Sequence, residues 1–441
     1  MARFTKIAIV LLLLFMQVSP LLADASVLPA VERAEPALKW RTKVIPIAIS
    51  TSLLHPASNV KAGGDLVAAV KRSLRVWEEA GGIEFREVMS DRQNVSPQGI
   101  AGDGVSLITV APTAENVLLF AKNAEEVAAT TRVFFDTRGR ISEADIVLNP
   151  YQQFSTDGTF GTFDLESTIT HEIGHVLGLD HSTMRGSTMY ENFSKNGVFG
   201  LQGFCLRTLS EIDRTAVRAK YGSPEAQESC CGSVSAKITM PDGRPAANLE
   251  VWLEDSMSGK VAAQAAAGPD GTVDLSGVPF GTYTLYSARK DRAKRPIPMQ
   301  SLGSISVSSE PLILSKKLEA GADDLEVKYT GFNGQLTLNA VPINAGKSYT
   351  IYIGGKNLSP RSVSIEFSSP FLEVSPESIV SHDYGDELSV LSFDVAAAPQ
   401  TPVGEYTIFV ETPSGSRAAV VGGISVRPFT NPYSNFLLDS K

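Results

Sequence analysis

An α+β domain followed by two all-β sandwiches is the architecture that this 441-residue sequence predicts, and three observations predict it. The length exceeds what one hydrophobic core usually supports. From Lys39 to Gly222 strand-like runs alternate with segments of helical period. After Tyr221-Gly222 that period largely disappears, and short alternating apolar runs separated by Pro-Asp-Gly turns replace it.

At the N-terminus, Arg3 and Lys6 precede an apolar run from Ile7 to Met16, followed by small residues at Ala23 and Ala25. This reads as a secretory signal peptide over 1–25, because the run is much shorter than the roughly twenty residues a membrane span needs. The mature chain is expected to be secreted or extracellular, or periplasmic in a bacterium with two membranes, and free of the membrane once cleaved. A short segment, 26–38, leads into the first domain, 39–222.

Within that domain "VIPIAIS" (44–50) is β-branched and extended, and Leu66, Val70, Leu74 and Trp77 then recur at helical spacing until Gly81 and Gly82 stop the helix. "IEFREV", "VSLITV", "ATTRVFFD" and "ADIVLN" follow as strands, with "TRGR" (137–140) as a tight connection between the last two. One further helix carries a histidine motif, and another runs from Ser210 to Lys220, with Ser210 and Asp213 spaced as a capping box.

A linker, 223–231, precedes the sandwiches at 232–317 and 318–428, and a tail, 429–441, follows them. "PFGTYTLY" (279–286) and "PVGEYTIF" (402–409) repeat one design: Pro, a spacer, Gly, then a strand alternating Tyr with apolar residues. They mark the same late strand in two successive sandwiches. The basic run "DRAKR" (291–295) reads as a solvated loop, and His55 and His382 stand isolated.

The net charge of −9 argues against nucleic acid, which requires clustered Lys and Arg. Cys205, Cys230 and Cys231 are too few for a disulfide framework. Two pairings remain open: Cys205 with one of the later two, or a vicinal Cys230–Cys231 pair beside a free Cys205.

The stretch "THEIGHVLGLDHS" (170–182) holds three of the five histidines. His171 and His175, four apart, lie on one face of a helix, and Glu172 lies roughly 80° round from them, beside a bound metal without having to ligate it. Leu165, Ile169, Ile173 and Val176 cover the opposite side, and Asp164 is suited to cap the helix. Gly178 can take positive φ, end the helix and turn the chain so that His181 approaches as a third ligand. Three histidines leave the fourth position of a tetrahedral zinc open to water, whose pKa falls to about 7 there, and Glu172 can take its proton.

HExxHxxGxxH followed by Met189 resembles the zinc signature and Met-turn of the metzincins, and among them the matrixins. Ser182 directly after the third histidine, and the eight-residue step to Met189, fit matrixins. So do Trp40, the Trp77 helix and "LSEIDRTAVRAKYG" (209–222). The resemblance implies a twisted mixed sheet with three helices, one catalytic zinc on His171, His175 and His181, Glu172 as general base, and Met189 as the floor beneath the metal. It also implies structural calcium, for which the scattered Asp residues single out no site. "AATTRVFF" (128–135) would be the antiparallel edge strand that pairs with an extended substrate. The region 232–317 is similar to transthyretin-like, carboxypeptidase-regulatory-type modules, and 318–428 is Ig-like in a generic sense.

The sequence departs from matrixins in three ways. No second histidine cluster provides for a structural zinc. Some fifteen residues without Cys separate the signal from Trp40, so latency through a thiol on the zinc is not expected. Glu191 to Leu206 is Gly-rich and lacks the usual Pro after Met-Tyr. The reading is a secreted zinc-dependent endopeptidase acting on protein or peptide substrates, whose sandwiches bind a surface, a protein partner or nothing. The alternative is an adhesion or scaffold protein whose peptidase-like domain is secondary.

Overall fold

The first strands form where β-branched residues are dense: β1 (Lys39–Trp40), β2 (Val44–Ser50), β3 (Glu84–Ser90), β4 (Leu107–Thr109), β5 (Ala129–Phe135) and β6 (Arg140–Leu148) make one sheet. A computed structural model describes residues 37–427, except 57, 96–101, 126, 193, 198–205, 225–229, 290–298, 322–324 and 386. The expected signal peptide, Cys205, the basic run at 291–295 and the tail at 429–441 lie outside the described residues.

The sheet order is β1-β6-β4-β2-β3, with β5 on the other side of β6. Every pairing is parallel except β5 on β6, which is antiparallel and runs Ala129 against Leu148. β5 is therefore an edge strand, and among the described residues β6 is its one partner. Gly139, at φ +74°, makes the tight return from β5 to β6.

Three longer helices accompany this sheet. Asp65 caps α1 (Leu66–Gly81) by accepting from Ala68 N, and Gly82 ends it in the left-handed region. Asp164 caps α3 (Leu165–Val176) by accepting from Ser167 N. The capping box of Ser210 and Asp213 opens α4 (Glu211–Tyr221). A fourth helix, α2 (Ala114–Leu118), corrects the expected count of three. Its buried residue is Asn116, whose amide donates to Gln93 O and Ala111 O, so it has no apolar period to betray it.

The apolar faces of α1 and α3 meet in one core with β2, β6 and Trp77. Indole nitrogens and a phenol secure α3: Trp77 Nε1 donates to Thr170 O at 2.8 Å, Trp40 Nε1 to Val176 O at 2.8 Å, and Tyr221 Oη to Leu177 O at 2.9 Å. Each large ring thus fills core volume; those of Trp40 and Tyr221 also satisfy carbonyls that the helix end leaves free, while Trp77 adds a second bond to a carbonyl within the helix.

Beyond residue 230 the described regular elements are strands, apart from a single 3₁₀ turn at Pro376–Ser378. A first sheet pair joins a four-stranded sheet (Val261–Ala266, Leu249–Asp255, Gly281–Arg289, Gln300–Val307) to a three-stranded one (Thr272–Pro279, Cys231–Thr239, Leu312–Lys317), around a core that includes Ala236, Val251 and Leu285. A second sheet pair has six and four strands around Ile351, Phe393 and Ile408. This strand-only region is consistent with β-sandwiches. The repeated Pro-x-Gly-x-Tyr design has a shared function: Tyr283 Oη donates to Pro279 O at 2.8 Å, and Tyr406 Oη to Pro402 O at 2.6 Å. Each phenol pins the turn that starts its own strand.

Cys230 and Cys231 are bonded to each other as a vicinal disulfide, with the Arg218 guanidinium and Ser223 hydroxyl against the sulfurs. Both sheet pairs pack on the first region. Met184 and Ile212 share a small core with Trp252, Val261, Met299 and Phe409.

Candidate metal centre and cleft

Helix α3 places the first two histidines. Its N-cap carboxylate is held by Arg207, whose Nε donates to Asp164 Oδ1 at 2.9 Å and Nη2 to Oδ2 at 2.5 Å. The helix end is fixed by Gly178, at φ +76°, where an added Cβ would lie 2.4 Å from Leu38 O. Leucine or alanine there is excluded by both conformation and space. The chain then folds back, with Leu179 N bonded to Gly174 O, and brings His181 to the same face.

The result is three imidazoles pointing inward. His171 Nδ1 donates to Thr188 O at 2.7 Å and His175 Nδ1 to Leu179 O at 2.8 Å; a carbonyl can only accept, so each ring's proton sits on Nδ1. Their Nε2 atoms are 3.1 Å apart, and His181 Nε2 is 3.2 Å from that of His175. Neutral rings so arranged turn lone pairs towards one another, which is repulsive until a cation lies among them. Tetrahedral zinc with bonds of roughly 2.05 Å separates its ligand nitrogens by about 3.3 Å, so the trio fits that ion. Among the described residues, this is the one cluster of three or more His, Cys, Asp or Glu able to hold a metal, and calcium is assigned to no described cluster.

The environment favours neutral rings. Burial lowers His171 well below the ordinary histidine value, with the His175 and His181 charges adding to it, and burial also lowers His175 and His181. Glu172 is 6% exposed, and burial pushes its carboxyl up to about 7, against a Thr131 hydroxyl that draws it down. Met189, 2% exposed, packs against the helix at Gly174, where an added Cβ would come 2.2 Å from its Sδ.

A cleft of about 360 Å³ runs between β5 and the trio, lined by Ala129, Thr131, Glu172, Leu179, His181 and Glu191 among others. The edge strand thus lines the same groove as the histidines.

Residues 39–222 match the matrixin family. This region is a matrixin domain. The chain is 28% identical over 171 residues to the hatching enzyme of Paracentrotus lividus, covering 36% of this chain and 23% of the relative. It is 26% identical over 168 residues to matrix metalloproteinase-2 of Drosophila melanogaster, covering 35% and 18%. The matches therefore span less than a quarter of either relative's length. Among solved structures, the major pilin subunit of Bacillus cereus aligns with 43% of this chain and 66% of its own, at 14% identity and a TM-score of 0.18, too low to define a shared fold.

The structure brings His171, Glu172, His175, His181 and Met189 of the matrixin domain together. His55 and His382 do not join them: His382 Nε2 bonds Ser392 Oγ and its ring lies against Tyr352, while His55 lines a separate depression with Gln93 and Pro112. Of Glu191 to Leu206, residues 193 and 198–205 lie outside the described residues.

Three residues escaped sequence reasoning. Thr131 Oγ1 donates to Glu172 Oε2 at 2.5 Å, and nothing local distinguishes it from any strand threonine. Gly174 permits Met189 to approach, within a helix where glycine is otherwise unfavourable, and that cost was the readable signal. Asp213 was legible as a cap, but its carboxylate also accepts from Ser187 Oγ at 2.5 Å, Thr188 N at 2.8 Å and Met189 N at 3.2 Å. It pins the Met-turn from beneath.

Proposed function

We propose that this protein is a secreted, zinc-dependent endopeptidase that cleaves protein or peptide substrates. The observation carrying this reading is the convergence of three histidine Nε2 atoms, each beside an open cleft and next to a buried carboxyl. His171, His175 and His181 would hold one zinc, and Met189 would floor it. When bound, zinc supplies Lewis acidity towards water and towards a carbonyl oxygen.

The chain's own residues do the rest. Edge strand β5 offers backbone N–H and C=O groups to an extended substrate and so aligns the scissile bond along the cleft. Glu172, a buried carboxyl lining the cleft, removes a proton from the attacking water and returns it to the leaving amine. Thr131 orients that carboxyl. The basic-then-apolar pattern over 1–25, which reads as a signal peptide, supports export, and the separate cores support a division at 39–222, 232–317 and 318–428.

The test is to purify the chain, measure its zinc, and incubate it with a peptide library with and without a chelator. The reading expects close to one zinc per chain and cleavage that chelation stops. Cleavage insensitive to chelator, or two tightly bound zincs, would overturn it.

A further inference from the structure

We propose that Arg185 and Tyr190 are positioning residues for the metal centre, through which the C-terminal sheet pairs hold the chain between the third histidine and the Met-turn. The inference rests on the zinc reading above and extends it to residues outside the cleft.

Residues 182–190 leave His181 and return to Met189 without helix or extended strand; a single bridge joins Ser182 to Tyr190, with Ser182 N bonded to Met189 O at 2.8 Å. Such a segment has little stability of its own and adopts one conformation only if neighbours impose it. On its inner face Thr188 O orients the His171 ring, and Met189 lies against α3. Its outer face belongs to the sheet pairs.

Those outer contacts are dense. Arg185 bonds the second sheet pair with its backbone and with two guanidinium nitrogens: N to Val421 O at 3.4 Å, Nη2 to Lys328 O at 2.6 Å and Nη1 to Thr330 Oγ1 at 3.4 Å. Tyr190 Oη donates to Leu338 O at 3.0 Å. Gly186 lies so close that an added Cβ would be 2.5 Å from Glu405 Cγ, and its carbonyl accepts from Arg427, itself paired with buried Glu405 at 3.3 Å. From the first sheet pair, Gln264 Nε2 donates to Thr183 Oγ1 at 2.6 Å. Met184, fully buried, inserts between both pairs.

The segment is thus a plate with the metal centre on one face and the sheet pairs on the other. Asp213 fixes 187–189 from α4, but residues 183–186 and the Tyr190 ring take their positions from beyond residue 230. His181, the ligand borne by this segment, is exposed where His171 is buried. It has least support from the helix and depends most on the plate.

The test uses the full chain. Arg185→Ala, Arg185→Lys and Tyr190→Phe are compared with Phe393→Leu, a control buried in the second sheet pair's core. Four quantities are measured: zinc affinity by competition with a chromogenic chelator, the visible spectrum of the cobalt(II)-substituted protein, amide hydrogen exchange over 182–190, and Tm. Arg185→Ala should weaken zinc about tenfold, alter the cobalt bands and speed exchange in that segment, with Tyr190→Phe in the same direction but smaller. Lysine at 185 should restore part of the affinity, since its ammonium can reach the Lys328 carbonyl. Phe393→Leu should lower Tm without changing affinity or spectrum.

Wild-type zinc affinity and cobalt bands in both Arg185→Ala and Tyr190→Phe would overturn the proposal, as would an equal loss of zinc in Phe393→Leu. Should Arg185→Ala fail to fold, Tyr190→Phe decides. If the wild type takes up no zinc, the metalloprotease reading fails instead. The brace is then judged by exchange alone, and unchanged exchange over 182–190 sinks it.

Discussion

The two halves of the histidine site are built in different ways. His171, Glu172 and His175 ride on α3, a helix capped by Asp164, locked by Trp77 and Trp40, and buried along its length. His181 and Met189 ride on an irregular segment that takes its conformation from Asp213 below and from two sheet pairs outside. The helix would hold its two rings in register in many surroundings, because backbone hydrogen bonds and a cap fix their spacing. The loop holds its ring only in this one.

The largest effects should come from breaking each half at its chemistry. His181→Ala leaves two nitrogens for the metal, and metal analysis after dialysis should find far less than one zinc per chain. Glu172→Ala, by contrast, should keep its zinc while the peptidase rate falls at least ~10²-fold, because it removes the proton carrier and no ligand. A variant still active within a few-fold of wild type would remove Glu172 from the mechanism.

Asp213→Ala tests the loop's lower support. Three donors of the Met-turn, two of them backbone amides, would lose a buried acceptor, so we expect a loss of roughly 2–4 kcal/mol in denaturant unfolding. A loss below about 1 kcal/mol would mean that the loop holds itself.

Acid should set the histidines against Glu172 in the metal-free protein. The lowered histidine values make the fold refuse protons that the unfolded chain accepts, so their contribution is present above the ordinary value of 6.5 and is lost as pH falls below it. Glu172 acts oppositely: raised from 4.5 to about 7, it contributes below its unfolded value and loses that contribution as pH rises through 7. Glu172→Gln removes the opposing group. Its Tm should therefore drop more steeply than wild type between about pH 7.5 and 5.5, and parallel curves would contradict the assignment.

The smallest effect is expected from Thr131→Val. The hydroxyl draws the Glu172 carboxyl down, so its loss should move the acid limb of the pH–rate profile to higher pH and cost a few-fold in rate at pH 6. An unchanged limb would show that the strand does not act on the base.

Much of the helix-borne half was legible because periodicity is local. Leu165, Ile169, Ile173 and Val176 mark a buried face, His171 and His175 the opposite one, Asp164 the start and Gly178 the end. These depend on backbone geometry that repeats every few residues. Five of the sheet's strands were legible from their apolar and β-branched runs, but the two-residue β1 was not, being too short to carry a pattern. The five-residue α2 was not, since the amide bonds of Asn116 replace an apolar stripe.

By itself, then, the sequence determined which side chains could meet: the histidine spacing, the caps, the apolar faces and the two Pro-x-Gly-x-Tyr turns. The tertiary structure alone decided that Thr131 reaches Glu172 from a strand 41 residues away, that the Asp213 cap also pins the Met-turn, and that Arg185 and Tyr190 bond strands and turns more than 140 residues further on. The physical reason is that a hydrogen bond across the fold leaves no period in the chain. Its partners are brought together by the burial of cores that neither residue specifies.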